Sequence, residues 1–187
     1  KELKPRRTVY LDGLWQSEEY FSDIQPTIRS DLTFIPPTDT LNRELALKMA
    51  RPGSVSLHVR WFDSGSRDGT DNVVGDYYLQ AIAHMQKKVS NPHYFIFSDN
   101  PDRALEGLPL SEGTYTKISN NQGDERAWID MWLMSNCQNF IMANSTFSWW
   151  GAWLSKNENK IVICPGAHRT RQNWDFEGQI PYSWLRI

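Results

Sequence analysis

The sequence predicts an α/β fold: a Rossmann-like parallel sheet of about five strands with helices on both faces. Two observations carry that expectation. Five apolar strand-type runs, at 55–60, 93–97, 115–118, 139–143 and 160–164, alternate with segments of helical character. Three of the runs also end in polar or turn-forming residues, at Ser98-Asp99-Asn100-Pro101, Asn144-Ser145-Thr146 and Pro165-Gly166. A chain of 187 residues has room for one domain with a proper core. The expected organisation is a connecting arm with helices over 1–53, belonging to an N-terminal domain not contained in the chain, then a ligand-binding domain over 54–165 and a tail over 166–187.

The elements follow in order. Residues 8–11 read as a short strand stopped by Asp12-Gly13, and 15–24 as a helix carrying Trp15, Tyr20 and Phe21, after which Pro26, Pro36 and Pro37 break the pattern. A helix over 39–50 places Leu41, Leu45 and Met49 on one face and stops at Arg51-Pro52-Gly53. The run from 55 to 60 alternates, with Val55, Leu57 and Val59 on one side and Ser56, His58 and Arg60 on the other. After a polar loop, a helix starting near Gly75 repeats Tyr78, Ile82, Met85 and Val89 at helical spacing. The strand at 93–97 leads to a short helix over 102–106 and a strand at 115–118. A helix over 124–136 follows, with Trp128, Met131, Trp132 and Ser135 along one side. The run at 139–143 then turns through Asn144-Ser145-Thr146 into an aromatic helix ending near Lys156, and the strand at 160–164 closes the sheet.

Composition excludes several classes. A formal charge of −2 offers no basic field for nucleic acid. No GxGxxG or GxxxxGKS segment is present, which disfavours a dinucleotide enzyme or a P-loop ATPase. Asp68 and Asp71 match no metal-loop spacing and read as a solvated turn. The two cysteines, Cys137 and Cys164, lie in or beside apolar runs and read as buried thiols. No apolar stretch approaches membrane-spanning length, and the start, KELKPRR, is no signal peptide, so a soluble chain is expected. Nine tryptophans suit core packing and sugar stacking equally.

In open α/β sheets ligands bind outside the carboxyl ends of the strands where the strand order reverses. With the 55–60 strand central and the 139–143 strand beside it, three polar clusters meet there: His58, Arg60 and Asp63; Ser98 and Asp99; Asn144 to Ser148. The strand–turn–helix junction aims backbone N–H groups and hydroxyls at one spot, which suits an anion such as phosphate. Ser145 or Thr146 serves as well as a plain helix cap. The fork of Arg60 suits two phosphate oxygens or a structural pair with Asp63. His58 reads as a ligand contact or a satisfied structural group, and Asp99 as an acceptor for a ribose or base edge or as a cap.

HVRWFD at 58–63, FSDN at 97–100 and DMWLMSNCQNFIMANSTFSWWGAWL at 130–154 together resemble the alpha-1,2-fucosyltransferase family, one of the HxRRxD-type fucosyltransferases. The likeness spans about residues 8–165, with NSTFSWWGAWL as its most specific part. It implies the C-terminal, donor-binding half of a two-domain GT-B architecture. It also implies GDP-fucose as donor, a galactoside as acceptor, inversion at the anomeric carbon, and neither metal nor cofactor. On matching positions Arg60 becomes the clamp on the donor's β-phosphate and the catalytic residue, with His58 and Asp63 completing its motif. Asn144, Ser145, Thr146, Phe147 and Ser148 cradle the diphosphate, and Asp99 contacts the nucleoside.

Two departures stand out. Trp61 occupies the motif's second Arg position, followed by Phe62 where bacterial members carry Gly, so one positive charge is replaced by an indole able to stack on a sugar or base. The family's glycine-rich N-terminal motif has no counterpart, which reads as a chain that starts near the end of the first domain and by itself does not catalyse transfer. The resemblance implies a cytoplasmic location for a bacterial protein and the Golgi lumen for a eukaryotic one. A bacterial source is favoured, and peripheral membrane association through parts outside this chain stays open. A non-catalytic nucleotide- or carbohydrate-binding domain, or a transferase using another nucleotide sugar, fits the same residues. The Asn144-Ser145-Thr146 glycosylation triplet sits in a strand-end crevice, a poor place for a glycan.

Overall fold

In the computed structural model, which describes residues 8, 10, 17–61, 73, 76–167 and 178–187, six parallel strands form one sheet in the order β3-β2-β1-β4-β5-β6. The strands are β1 Ser54–Val59, β2 His93–Ser98, β3 Tyr115–Lys117, β4 Asn139–Ile141, β5 Val162–Cys164 and β6 Leu185–Arg186. The helices are α1 Gln25–Asp31, α2 Thr40–Met49, α3 Tyr77–Lys88, α4 Pro101–Glu106, α5 Ala127–Asn136 and α6 Thr146–Leu154. The Rossmann-like α/β expectation holds, with β1 between β2 and β4: Leu57 pairs with Ile96 on one side and Ile141 on the other. The sixth strand comes from the tail, where Leu185 and Arg186 pair with Ile163 and Cys164.

Both faces of the sheet are covered. Val55, Leu57 and Val59 of β1, with Tyr94, Ile96, Ile141 and Ile163, pack under Tyr77, Ala81, Ile82 and Met85 of α3 and Ala104 of α4. Phe95, Phe97, Phe140, Met142 and Val162 point the other way, against α2, α5 and α6. The second face of β1 is buried as well, because Ser54 and Ser56 are small and His58 is only 6% exposed. Ser54 Oγ donates to the Met49 carbonyl and accepts from the Gln138 N–H, so its polarity is satisfied inside the layer. Cys137 and Cys164 are free and buried, as expected.

Several helix faces differ from the sequence reading. On α2 the buried side is Asn42, Leu45, Ala46 and Met49, while Leu41 is 53% exposed; docking against α5 rotates the contact stripe by one position. On α5 the buried set is Ile129, Trp132, Leu133 and Met134, and Trp128 is 44% exposed. A helix that is apolar all round leaves its orientation to its neighbours. The segment predicted helical over 15–24 is a 3-10 stretch from Glu18 to Ile24 with a kink at Phe21, and Pro26 opens α1 rather than ending a helix, since Pro is tolerated in a first turn. The strand expected at 8–11, the loop over 64–72 and the tail residues Arg169, Arg171 and Trp174 lie wholly or largely outside the described residues.

The 17–31 stretch is anchored on the sheet layer. Arg29 sits 3.8 Å over the Trp153 ring and donates to the Trp153 carbonyl at 2.6 Å, and Trp153 Nε1 donates to Glu18 at 3.0 Å. On the opposite face the fully buried Tyr77 points its hydroxyl at the carbonyls of Met142 (2.7 Å) and Ile163 (3.1 Å), just where β4 and β5 end. Tyr77→Phe is expected to cost about 1–2 kcal/mol, because a buried carbonyl loses its donor. Urea denaturation of the two proteins measures it, and an unchanged midpoint would contradict this reading.

Candidate functional site

β1 and β4 are neighbours and β2 flanks β1, so the residues following all three strands meet at one end of the sheet. A cleft of about 460 Å³ lies there. His58, Arg60, Ser98, Asp99, Ser145 and Phe147 line it from the three strand ends. The loop Asn121-Gln122-Gly123-Asp124 after β3, with Asp130 and Met134 of α5, lines it as well.

Arg60 Nη1 is 3.1 Å from Asp99 Oδ2, while Asp99 Oδ1 accepts the Trp61 N–H at 3.0 Å. Asp99 thus staples the end of β1 to the end of β2 and directs the guanidinium, whose side chain remains 44% exposed. The cap of α4 is Asn100, whose Oδ1 accepts from the Arg103 N–H at 3.2 Å. His58 is held from its backbone side, its carbonyl accepting the Tyr78 hydroxyl at 3.1 Å. Burial, and then the Arg60 charge, push its imidazole down to about 3, so the ring is neutral at physiological pH. Its Nδ1 is buried with no hydrogen-bond partner, and its ring lies 5.9 Å from that of Phe147.

Opposite stands the first turn of α6. Ser145 is its N-cap: backbone extended at φ −142°, ψ 129°, Oγ accepting from the Phe147 N–H at 3.3 Å. Capping and cleft-lining are therefore both true of Ser145. Thr146 opens the helix, and Ser148, 3% exposed, turns its hydroxyl back to the Ser145 carbonyl at 3.2 Å. Asn144 is buried in the preceding turn. Asp63 lies outside the described residues. Trp61 leaves the cleft: its ring packs with the α3-side core, the Arg103 guanidinium lies 4.0 Å over it, and its Nε1 is buried without a partner. The indole in the motif's second Arg position therefore stacks on an arginine of this chain.

Sequence reasoning missed the far wall. Asp130 is a carboxylate within an apolar helix, and burial raises it to about 6, with the Asn121 hydrogen bond and the Arg126 charge pulling it back down. Asn121 Nδ2 donates to Asp130 Oδ1 at 2.7 Å. Two signals pointed here: the run Asn120-Asn121-Gln122-Gly123-Asp124 follows a strand at the ligand end of the sheet, and Asp130 interrupts the stretch from Trp128 to Met134.

Fold and cleft together define an α/β protein with a switch-point crevice, cationic and helix-capped on one wall and carboxylate-bearing on the other. The chain belongs to glycosyl transferase family 11, whose model matches residues 2–184. Its relatives include an alpha-1,2-colitosyltransferase of Escherichia coli, 32% identical over 187 residues, covering 96% of this chain and 63% of that protein. The O-antigen biosynthesis glycosyltransferase WbnK of Escherichia coli is 38% identical over 143 residues, 72% of this chain and 44% of that one. Human galactoside alpha-(1,2)-fucosyltransferase 1 is 27% identical over 159 residues, 78% of this chain and 42% of that one. The chain thus spans between two fifths and two thirds of the length of these relatives. Among the described residues no helix is long and apolar enough to cross a membrane.

Proposed function

We propose that this chain is the donor-binding part of an inverting, metal-independent α-1,2-glycosyltransferase of bacterial type that moves fucose from GDP-fucose to the 2-hydroxyl of a galactoside. The observation that carries it is the cleft that Arg60 and Ser145 share, with Asp130 on its far wall. As the glycosidic bond breaks, charge grows on the leaving diphosphate, and a preorganised cation and helix-start N–H groups stabilise it most there. Arg60, held by Asp99, supplies the cation, and the first turn of α6 supplies the amides. The acceptor oxygen bonds to the anomeric carbon on the face opposite the departing phosphate, which inverts it. The base of the nucleotide lies toward Asp130: guanine presents two adjacent N–H donors, which one carboxylate accepts together, whereas adenine presents a donor and an acceptor. Neutral His58 adds a ring nitrogen to the same pocket.

Calorimetric titration of the chain with GDP, GMP, UDP, ADP and free oligosaccharides tests this reading. GDP preference is the expected result, and binding of sugars alone would overturn it. The titration carries its own pH signature, because only ionised Asp130 accepts both donors. GDP affinity is therefore expected to rise as pH increases through about 6. Stability runs the other way: the folded pKa lies above the unfolded value of about 3.9, so this group makes stability fall as pH rises from about 4 to about 6. Asp130→Asn is expected to weaken GDP by about 1–3 kcal/mol and to flatten both dependences. A second donor sugar has support from the relative matched over 96% of this chain, which is named for colitose. Competition between GDP-linked fucose and colitose on the full-length enzyme decides between them.

A further inference from the structure

We propose that Asn42, on α2 and outside the cleft, is a positioning residue for the nucleotide end of the site: it fixes, through Asn121, the N–H that Asp130 receives. The inference rests on the donor-site reading for its function, and on a chain of hydrogen bonds for its geometry.

Asn42 is 0% exposed, an unusual place for an amide on a helix. Its Nδ2 donates to both carboxylate oxygens of Asp39 at 3.0 Å, and Asp39 Oδ1 also accepts the Asn42 N–H at 2.9 Å as the cap of α2. The Nδ2 group also donates to Asn121 Oδ1 at 3.0 Å, and Asn42 Oδ1 accepts in return from Asn121 Nδ2 at 3.0 Å and from Asn120 Nδ2 at 2.8 Å. The Asn42 and Asn121 amides therefore face each other in a closed reciprocal pair. One hydrogen of Asn121 Nδ2 belongs to that pair, and the other reaches Asp130 Oδ1 at 2.7 Å.

The polarity of the chain is set at its outer end. An ionised carboxylate only accepts, so Asp39 forces the NH₂ of Asn42 toward itself, and Asn42 then dictates which way Asn121 points. A flipped Asn121 would set its carbonyl against both Asn42 Oδ1 and the Asp130 carboxylate. α2 thereby specifies, from outside the cleft, that Asp130 is met by a donor. A donor toward the charged form keeps a buried carboxylate available as an acceptor. The charged and titratable groups around Asp130 are Asp39 on α2, Asp124 and Arg126 on the 3-10 turn before α5, His58 and Arg60 at the end of β1, and Asp99 after β2. The first turn of α6 brings no charge.

The test is a ¹³C NMR titration of the Asp130 carboxyl in the ligand-free chain, with GDP binding followed against pH in parallel. In Asn42→Ala the Asp130 midpoint is expected to rise by about one pH unit, and the pH at which GDP affinity is half lost to rise with it. Asn121→Ala, which leaves the α2 cap intact, should give the same shift, and the double variant no more than either single one. Lower stability in Asn42→Ala with Asp130 titrating where it does in the parent would show a merely structural role and overturn the proposal. Should Asn42→Ala not fold, an unmoved Asp130 in Asn121→Ala overturns it equally. A shifted carboxyl with an unmoved GDP profile removes Asn42 from the nucleotide site. If the parent chain binds no GDP at all, the donor-site reading fails instead, while the carboxyl titration still decides the relay.

Discussion

Arg60→Ala in the intact enzyme is expected to lower kcat/KM by a factor of about 10²–10³, or about 2–4 kcal/mol of transition-state stabilisation. The size follows from what the guanidinium faces: it stands in the cleft as the cation nearest the α6 turn, aimed by Asp99 at 3.1 Å. The loss should appear mainly in kcat, because the diphosphate charge is larger in the transition state than in the bound donor. Arg60→Lys keeps the charge but not the fork, and should recover only part of the activity. The fold should barely notice either change, since an Arg–Asp pair this exposed contributes about 0–1 kcal/mol. Steady-state kinetics with GDP-fucose and a β-galactoside measure the effect. Turnover within a factor of three of the parent would remove Arg60 from the mechanism and with it the main support for diphosphate departure at this wall.

Trp149→Ala is expected to destabilise the chain by about 3–5 kcal/mol, a large fraction of the 5–15 kcal/mol typical of a domain. Trp149 is 5% exposed, stacks nearly parallel on Trp153 (7° between planes), and meets Trp184 at 5.6 Å. Its Nε1 donates to the Gln179 carbonyl at 3.0 Å, so the same ring ties α6 to the chain leading into β6. Trp149→Phe keeps an aromatic ring but loses that hydrogen bond, and should cost about 1–2 kcal/mol. Equilibrium denaturation gives both values. A loss below about 1 kcal/mol for the Ala variant would mean that the indole is not carrying packing, and would reopen sugar stacking for the aromatic block. As the structure stands, Trp132, Trp149, Trp153 and Trp184 are core, and Trp61 is covered by Arg103.

The sheet was legible because a parallel strand buried on both sides needs an apolar run, and the 55–60, 93–97 and 139–143 runs have no other comfortable environment. The sixth strand was not, since Leu185 and Arg186 are too few to show a period and become a strand only by pairing with β5. Three polar clusters placed by topology do converge, Arg60 and Ser145 in one cleft and Asp99 bonded to Arg60. Asp130 escaped notice because a single carboxylate in an apolar helix carries no local mark of the direction it faces. That direction depends on how α5 docks against α2 and α6.

By itself the sequence determined the order of strands and helices, the strand–turn–helix junction at Asn144-Ser145-Thr146 and the family to which the chain belongs, because periodicity, capping residues and motif spacing are local properties of a polymer. Only the tertiary structure decided which side of α2 and α5 is buried, that Trp61 turns from the cleft to Arg103, and that Asp39, Asn42, Asn121 and Asp130 join in one line of hydrogen bonds. Each of those outcomes is a choice among rotations or amide orientations that are nearly equal in energy for the isolated segment. Burial against a neighbour distant in sequence breaks the tie, by leaving one arrangement with every polar atom paired and the others with a donor or acceptor stranded.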